Sequence, residues 1–222
     1  MGQICVSVMV EEPDRVLATM NRACDMGADL LEWRMDVTRE PEMRGVLQHA
    51  PLPVITTVRS IEQGGRFSGS RAEQLRLLLE AAGTGSTYVD WEFQPDESLP
   101  GELSAMRERL ILSYHNFHET PADRELKSLF DQMAALRPGV VKVVTLAKEV
   151  ENNVSLLHLI GRGKSQGINV VSFCLGPLGR ISRVACPLVG GAFSYAALES
   201  GAEAAPGQLT VAQMLQLLEL LR

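Results

Sequence analysis

A (β/α)8 barrel of the TIM type, forming a single α/β domain over residues 1–222, is the fold the sequence predicts, on three observations. Strand-like and helix-like segments alternate eight times along the chain, leaving roughly 28 residues per unit. Polar residues gather at the carboxyl ends of the strand-like segments, where a barrel of this kind keeps its chemistry. The first strand runs through Val10 into Glu11, Glu12 and Pro13, without the glycine-rich turn that an open, doubly wound nucleotide-binding sheet would show.

The elements follow in order. Residues 4–10 are an apolar strand, and 13–26 have helical spacing, with Pro13 suited to a first turn and Gly27 to a C-cap. A strand over 29–36 (DLLEWRMD) leads to a short helix over 41–49, and a strand over 53–59 to a glycine-bearing loop and an amphipathic helix over 71–82. The fourth strand is expected over 86–93 with a helix over 102–108, and the fifth over 109–115 with a helix that Thr120 and Pro121 open and Arg137 and Pro138 close. The sixth lies within 138–148 and precedes a helix over 149–160. The seventh covers 168–174, with a helix over 179–186. A weaker eighth strand is expected in 192–197, and an amphipathic helix over 210–220 ends the pattern.

The composition excludes some classes of function. A 45% hydrophobic content supplies a sizeable core, and a formal net charge of -6 lacks the basic field that nucleic acid or an anionic membrane requires. The apolar run at 4–10 is too short to span a bilayer, lacks a basic flank and ends in two glutamates, so neither a membrane span nor a secretory signal is expected. Four cysteines, Cys5, Cys24, Cys174 and Cys186, show no CxxC pair and no metal-ligand spacing with the histidines. A reducing, cytoplasmic setting and no metal are expected.

The residue that needs explaining is Lys142, inside the valine run of PGVVKVVTLAK. A lysine in such a strand ordinarily packs its stem and leaves its amine in water. Buried instead, the ammonium is desolvated, and the free amine becomes a nucleophile able to form a Schiff base with a carbonyl. Its company favours chemistry. Glu32, Arg34 and Asp36 fall two apart on the second strand and so share a face, with Leu31, Trp33 and Met35 on the other. Arg59 ends the third strand, Asp90 and Glu92 share a face of the fourth, Ser113 and His115 one of the fifth, and Ser172 and Cys174 one of the seventh. Each alone reads as a surface ion pair or a structural residue; a convergence over successive strands supplies an amine, a titratable base and anion clamps. His49, His118 and His158 lack such company.

These segments together resemble the type I 3-dehydroquinate dehydratases, enzymes of the shikimate pathway. The resemblance rests on EWRMD at 32–36, TTVRS at 56–60 with Gly64 and Gly65 after it, DWEF at 90–93, SYHNF at 113–117, VKVV at 141–144, GPLGRISR at 176–183 and APGQ at 205–208. It implies that Lys142 forms a Schiff base with the ring ketone of 3-dehydroquinate and that His115 acts as general base and acid. It further implies that Glu32, Arg34 and Arg59 hold ring hydroxyls or order the site, that Arg183 grips the substrate carboxylate, and that Gln208 contacts substrate from a closing loop. No cofactor is implied, and a homodimer is.

Two positions depart from the family pattern. Gln63 stands where a glutamate usually partners the histidine, and Ala204 where the closing loop commonly carries serine. Glu62 could take the missing carboxylate's place if the loop shifted by one residue. Two alternatives compete: another Schiff-base barrel lyase of the class I aldolase type, with GPLGR imitating a phosphate site, and a non-catalytic barrel that has kept the pocket.

Overall fold

The computed structural model describes residues 2–39 and 42–221. Its elements are β1 (Gln3–Val8), α1 (Pro13–Asp25), β2 (Leu30–Arg34), α2 (Met43–Leu47), β3 (Val54–Thr57), α3 (Arg71–Thr84), β4 (Tyr88–Glu92), α4 (Gly101–Ala105), β5 (Leu110–Asn116), α5 (Asp123–Ala135), β6 (Val140–Leu146), α6 (Asn152–Gln166), β7 (Asn169–Leu175), α7 (Arg180–Leu188), β8 (Phe193–Ala196) and α8 (Val211–Leu220). The expected start of the second helix at Pro41 lies outside the described residues.

All eight strands belong to one parallel sheet in the order β7-β6-β5-β4-β3-β2-β1-β8. Its ends approach each other where the Ala192 N–H donates to the Val170 carbonyl at 2.8 Å, so the sheet curls into the expected barrel. Both faces of the strands are covered. On β2 every residue is buried, with Leu31 and Trp33 on the helix side and Glu32 and Arg34 toward the barrel interior. The Trp33 indole N–H donates to Thr38 Oγ1 at 3.0 Å, which satisfies the one polar atom of a fully buried ring.

Local chemistry sets the helix starts. Pro13 opens α1, and reciprocal capping boxes open α3 (Ser70 with Glu73) and α8 (Thr210 with Gln213), each contributing about 1 kcal/mol. Of the helices that run past their expected ends, α6 goes furthest, continuing to Gln166 through Gly161 and Gly163. A Cβ on Gly163 would stand 2.2 Å from Val170 Cγ2, so this glycine allows α6 to lie close over β7.

Candidate active site

Lys142 sits in the middle of β6, its register partners being Ser113 on β5 and Val171 on β7. Its side chain points into the barrel and the residue is only 4% exposed. The amine does not snorkel to water. Nζ donates to Tyr195 OH at 3.0 Å, Asp90 Oδ2 at 3.2 Å and Glu32 Oε1 at 3.5 Å, and it lies 4.3 Å from the Tyr195 ring centroid. Two carboxylates and an aromatic face thus compensate the desolvation of the ammonium.

The carboxylates are themselves held. Arg59, 3% exposed, donates to Asp90 Oδ1 at 2.7 Å, Glu92 Oε1 at 3.1 Å and Ser113 Oγ at 3.0 Å, and Ser113 donates to Asp90 Oδ1 at 2.6 Å. Burial alone would raise the Asp90 carboxyl, but Arg59 and then Lys142 hold it below the ordinary aspartate range. Glu32 follows the same pattern: burial opposes its ionisation, and Lys142 followed by Arg34 outweighs it. Ser7 Oγ and Thr57 Oγ1 donate to its two oxygens at 2.8 and 3.0 Å.

His115, near the end of β5, stands on the wall of the same cavity. Its Nδ1 is 3.1 Å from Gln63 Oε1, and its ring stacks on Phe117 at a centroid distance of 6.1 Å. With the amide oxygen facing Nδ1, the ring donates there and Nε2 keeps its lone pair. Gly64 makes this placement possible, since the chain turns at φ 78° just after Gln63, and a Cβ would meet the Phe117 ring at 2.5 Å. Burial pushes the imidazole well below its ordinary pKa, and the positive charges of Arg59, Lys142 and Arg34 add to the effect. Glu62 is exposed, so it does not replace the missing carboxylate.

Arg34 lines the cavity with its guanidinium held bidentately by Asp36, at 2.8 and 2.7 Å. Arg183, 1% exposed, is held quite differently. It forms no ion pair among the described residues, its Nε has no partner, and its nearest acceptor is the Pro206 carbonyl at 3.4 Å. Its guanidinium carbon lies 4.5 Å over the Phe173 ring, and burial pushes its pKa down to about 10. A buried guanidinium with free donors, aimed into a cavity, is suited to binding an anion. The loop carrying Ala204 and Gln208 lies across the same cavity, docked by Gly176 N–H to the Pro206 carbonyl at 3.0 Å. The Ala204 N–H donates to Gln208 Oε1 at 2.6 Å.

Asp36, Asp90, Glu92 and Ser113 hold residues of the site from behind, and the nine residues that the resemblance singles out, Lys142, His115, Glu32, Arg34, Arg59, Arg183, Gln208, Gln63 and Ala204, border this one cavity. Ser172 and Cys174 do not. The strand is in place, but its parity is opposite to expectation: Phe173 and Leu175 face inward, while the Cys174 N–H receives its partner from α7, donating to Ser182 Oγ at 2.9 Å. Arg180 of the GPLGR segment is exposed and off the cavity. Sequence reasoning missed Ser7 on β1 and Tyr195 on β8; counting in twos along β8 from the buried Phe193 would have found the latter. Among the described residues no group of three or more His, Cys, Asp or Glu is placed to hold a metal ion.

A family model described as type I 3-dehydroquinase matches residues 4–222. The 3-dehydroquinate dehydratase of Syntrophobacter fumaroxidans is 36% identical over 203 residues, covering 87% of this chain and 87% of that protein. The 3-dehydroquinate dehydratase of Methanosarcina acetivorans is 31% identical over 230 residues, covering 98% and 94%. Among solved structures, 3-dehydroquinate dehydratase from Geobacillus kaustophilus HTA426 matches with a TM-score of 0.88 at 27% identity, covering 100% of this chain and 91% of that one.

Proposed function

The chain belongs to the type I 3-dehydroquinase family, and from that membership we propose that Lys142 carries its reaction as a Schiff base, with His115 as general base and acid. The activity is that of a 3-dehydroquinate dehydratase, a lyase of the shikimate pathway. The observation that carries the mechanistic reading is the burial of Lys142 between Asp90, Glu32 and Tyr195 on the cavity that His115 also borders. A lysine kept there for packing alone would be a costly choice over an aliphatic residue.

The steps follow from these groups. The Lys142 amine adds to the ring ketone of 3-dehydroquinate and water is lost, giving an iminium. His115 removes a proton from the carbon beside the iminium, whose C=N+ accepts the electron pair. The resulting enamine expels the neighbouring ring hydroxyl, which leaves as water on taking the proton from His115. Hydrolysis of the remaining iminium frees 3-dehydroshikimate and the lysine. Asp90 and Glu32 offset the positive charge on nitrogen throughout, so the ion-pair cluster that accommodates the ammonium also accommodates the iminium.

Substrate placement belongs to the same proposal. Arg183 binds the carboxylate, because its Nε has no partner, its one hydrogen bond is the long contact to the Pro206 carbonyl, and a carboxylate accepts guanidinium donors in pairs. Arg34, steadied by Asp36, and Glu32 take ring hydroxyls, Arg59 orders the carboxylates beneath, and Gln208 closes over the ring from its loop. A homodimer and a cytoplasmic location are part of the proposal as well; no helix among the described residues is long and apolar enough to cross a membrane. Incubation with 3-dehydroquinate, followed by the ultraviolet absorbance of the conjugated enone product, tests the activity. A carbon–carbon cleavage product in its place would support the aldolase alternative, and no turnover would support the non-catalytic one.

A further inference from the structure

Of the three groups that accept from Lys142 Nζ, two are carboxylates, Asp90 and Glu32, which when ionised can only accept hydrogen bonds. The third, the Tyr195 hydroxyl at 3.0 Å, can both accept and donate. It is also uncommitted: Lys142 Nζ is the one hydrogen-bond partner it has among the described residues. The ring is fixed, with Phe173 and Phe193 edge-on at 6.2 and 5.5 Å, so the oxygen is held in place while its hydrogen is free to turn. Tyr195 borders the cavity, on the side of β8 opposite to Ser194.

We propose that Tyr195 is a catalytic residue of Schiff-base formation, its hydroxyl relaying a proton from Lys142 Nζ to the oxygen of the substrate carbonyl. This rests on the Schiff-base reading above. Lys142 first loses one ammonium proton, to His115, and becomes an amine. The nitrogen lone pair then forms the C–N bond, and the carbonyl π pair moves onto oxygen, leaving a positive nitrogen and an alkoxide two bonds apart. Tyr195 takes a proton from that nitrogen on its oxygen and gives its own proton to the alkoxide. The phenol is restored, and the product is the neutral carbinolamine. The proton held at His115 then goes to the carbinolamine hydroxyl, which departs as water as the nitrogen lone pair forms the C=N+ bond.

A phenol that both takes and gives in one step never has to ionise. That suits this one, whose pKa burial raises well above the ordinary tyrosine value, with Glu32 adding to the effect. Neither carboxylate can replace it, because each is anchored by charge-assisted or hydroxyl bonds and carries no proton to give.

The test is Tyr195→Phe, which keeps the ring over Nζ and removes only the hydroxyl. Enzyme and 3-dehydroquinate are mixed, quenched with borohydride at successive times, and the reduced adduct is read by intact mass. The adduct is expected to form about 10- to 100-fold more slowly in the variant. In the parent, the rate of adduct formation plotted against the deuterium fraction of the solvent should be bowed, since two protons move together; in the variant it should be straight. Adduct formation at the parental rate in Tyr195→Phe overturns the assignment of Tyr195 alone, whereas no adduct in the parent overturns the Schiff-base reading on which it rests. If thermal melting shows the variant unfolded, the parental plot decides, and a straight line there overturns the relay.

Discussion

Gln63 Oε1 lies 3.1 Å from Nδ1 of His115, so the imidazole of this site is oriented by a neutral amide and surrounded by the positive charges of Arg59, Lys142 and Arg34. Both the burial and those charges favour the neutral ring, and nothing on the Gln63 side opposes them. The base form therefore persists as pH falls below the ordinary imidazole range. The acidic limb of kcat/KM for the free enzyme is expected below pH 6.5. Gln63→Glu places an anion against Nδ1, favours imidazolium and should move that limb upward by about 1 unit or more. A limb at the same pH in both proteins would contradict the pairing of Gln63 with His115.

Arg183→Met should separate stability from function. The wild-type guanidinium is 1% exposed and has no ion pair among the described residues, so only a long hydrogen bond to the Pro206 carbonyl and the Phe173 ring offset its desolvation until an anion arrives. A thioether stacking on Phe173 removes that cost. The ligand-free variant is expected to be more stable by about 1–3 kcal/mol, read by chemical denaturation, while KM rises by about 100-fold. A destabilised variant with unchanged KM would show that Arg183 is a structural residue.

Asp90→Asn tests the buried charge cluster. The Asp90 carboxyl has its pKa lowered in the folded state, so its contribution to stability is present above the ordinary aspartate range and is lost as pH falls through the folded value. The parent should therefore lose melting temperature as pH drops below about 4. Asn leaves Arg59 and Lys142 short of an anion, at a cost of about 3–5 kcal/mol near neutrality, and should flatten that acid dependence. Equal acid dependence in the two proteins would mean that the cluster does not link protonation to folding.

Ala204→Ser probes the closing loop. Ala204 borders the cavity with its N–H tied to Gln208 Oε1, and a hydroxyl there could reach the substrate. One added hydrogen bond of about 0.5–1.5 kcal/mol corresponds to a KM lower by about 2- to 10-fold. Unchanged KM and kcat would remove the missing hydroxyl from the account.

The barrel was legible because each strand is a short apolar run followed by helical spacing, a local pattern that alternation alone reveals. Lys142 and the Glu32–Arg34 pair were legible because period-two spacing on β2 and a charge amid valines on β6 are both visible in one dimension. What a linear reading could not supply was parity across strands. Ser172 and Cys174 look like a polar face of β7, yet the curl of the barrel turns Phe173 and Leu175 inward. Tyr195 went unnoticed because β8 is only four residues long and its polar contact is made 53 residues away in sequence. The length of α6 was likewise hidden, since Gly163 breaks helices in isolation but here admits a close helix–strand contact.

The central claim is that Lys142 Nζ becomes covalently bound to substrate. Borohydride reduction in the presence of 3-dehydroquinate, followed by peptide mass mapping, measures this directly. A reduced adduct on the Lys142 peptide, with no adduct and no turnover in Lys142→Ala, is the predicted result. An adduct on another lysine, or turnover that survives Lys142→Ala, would contradict it.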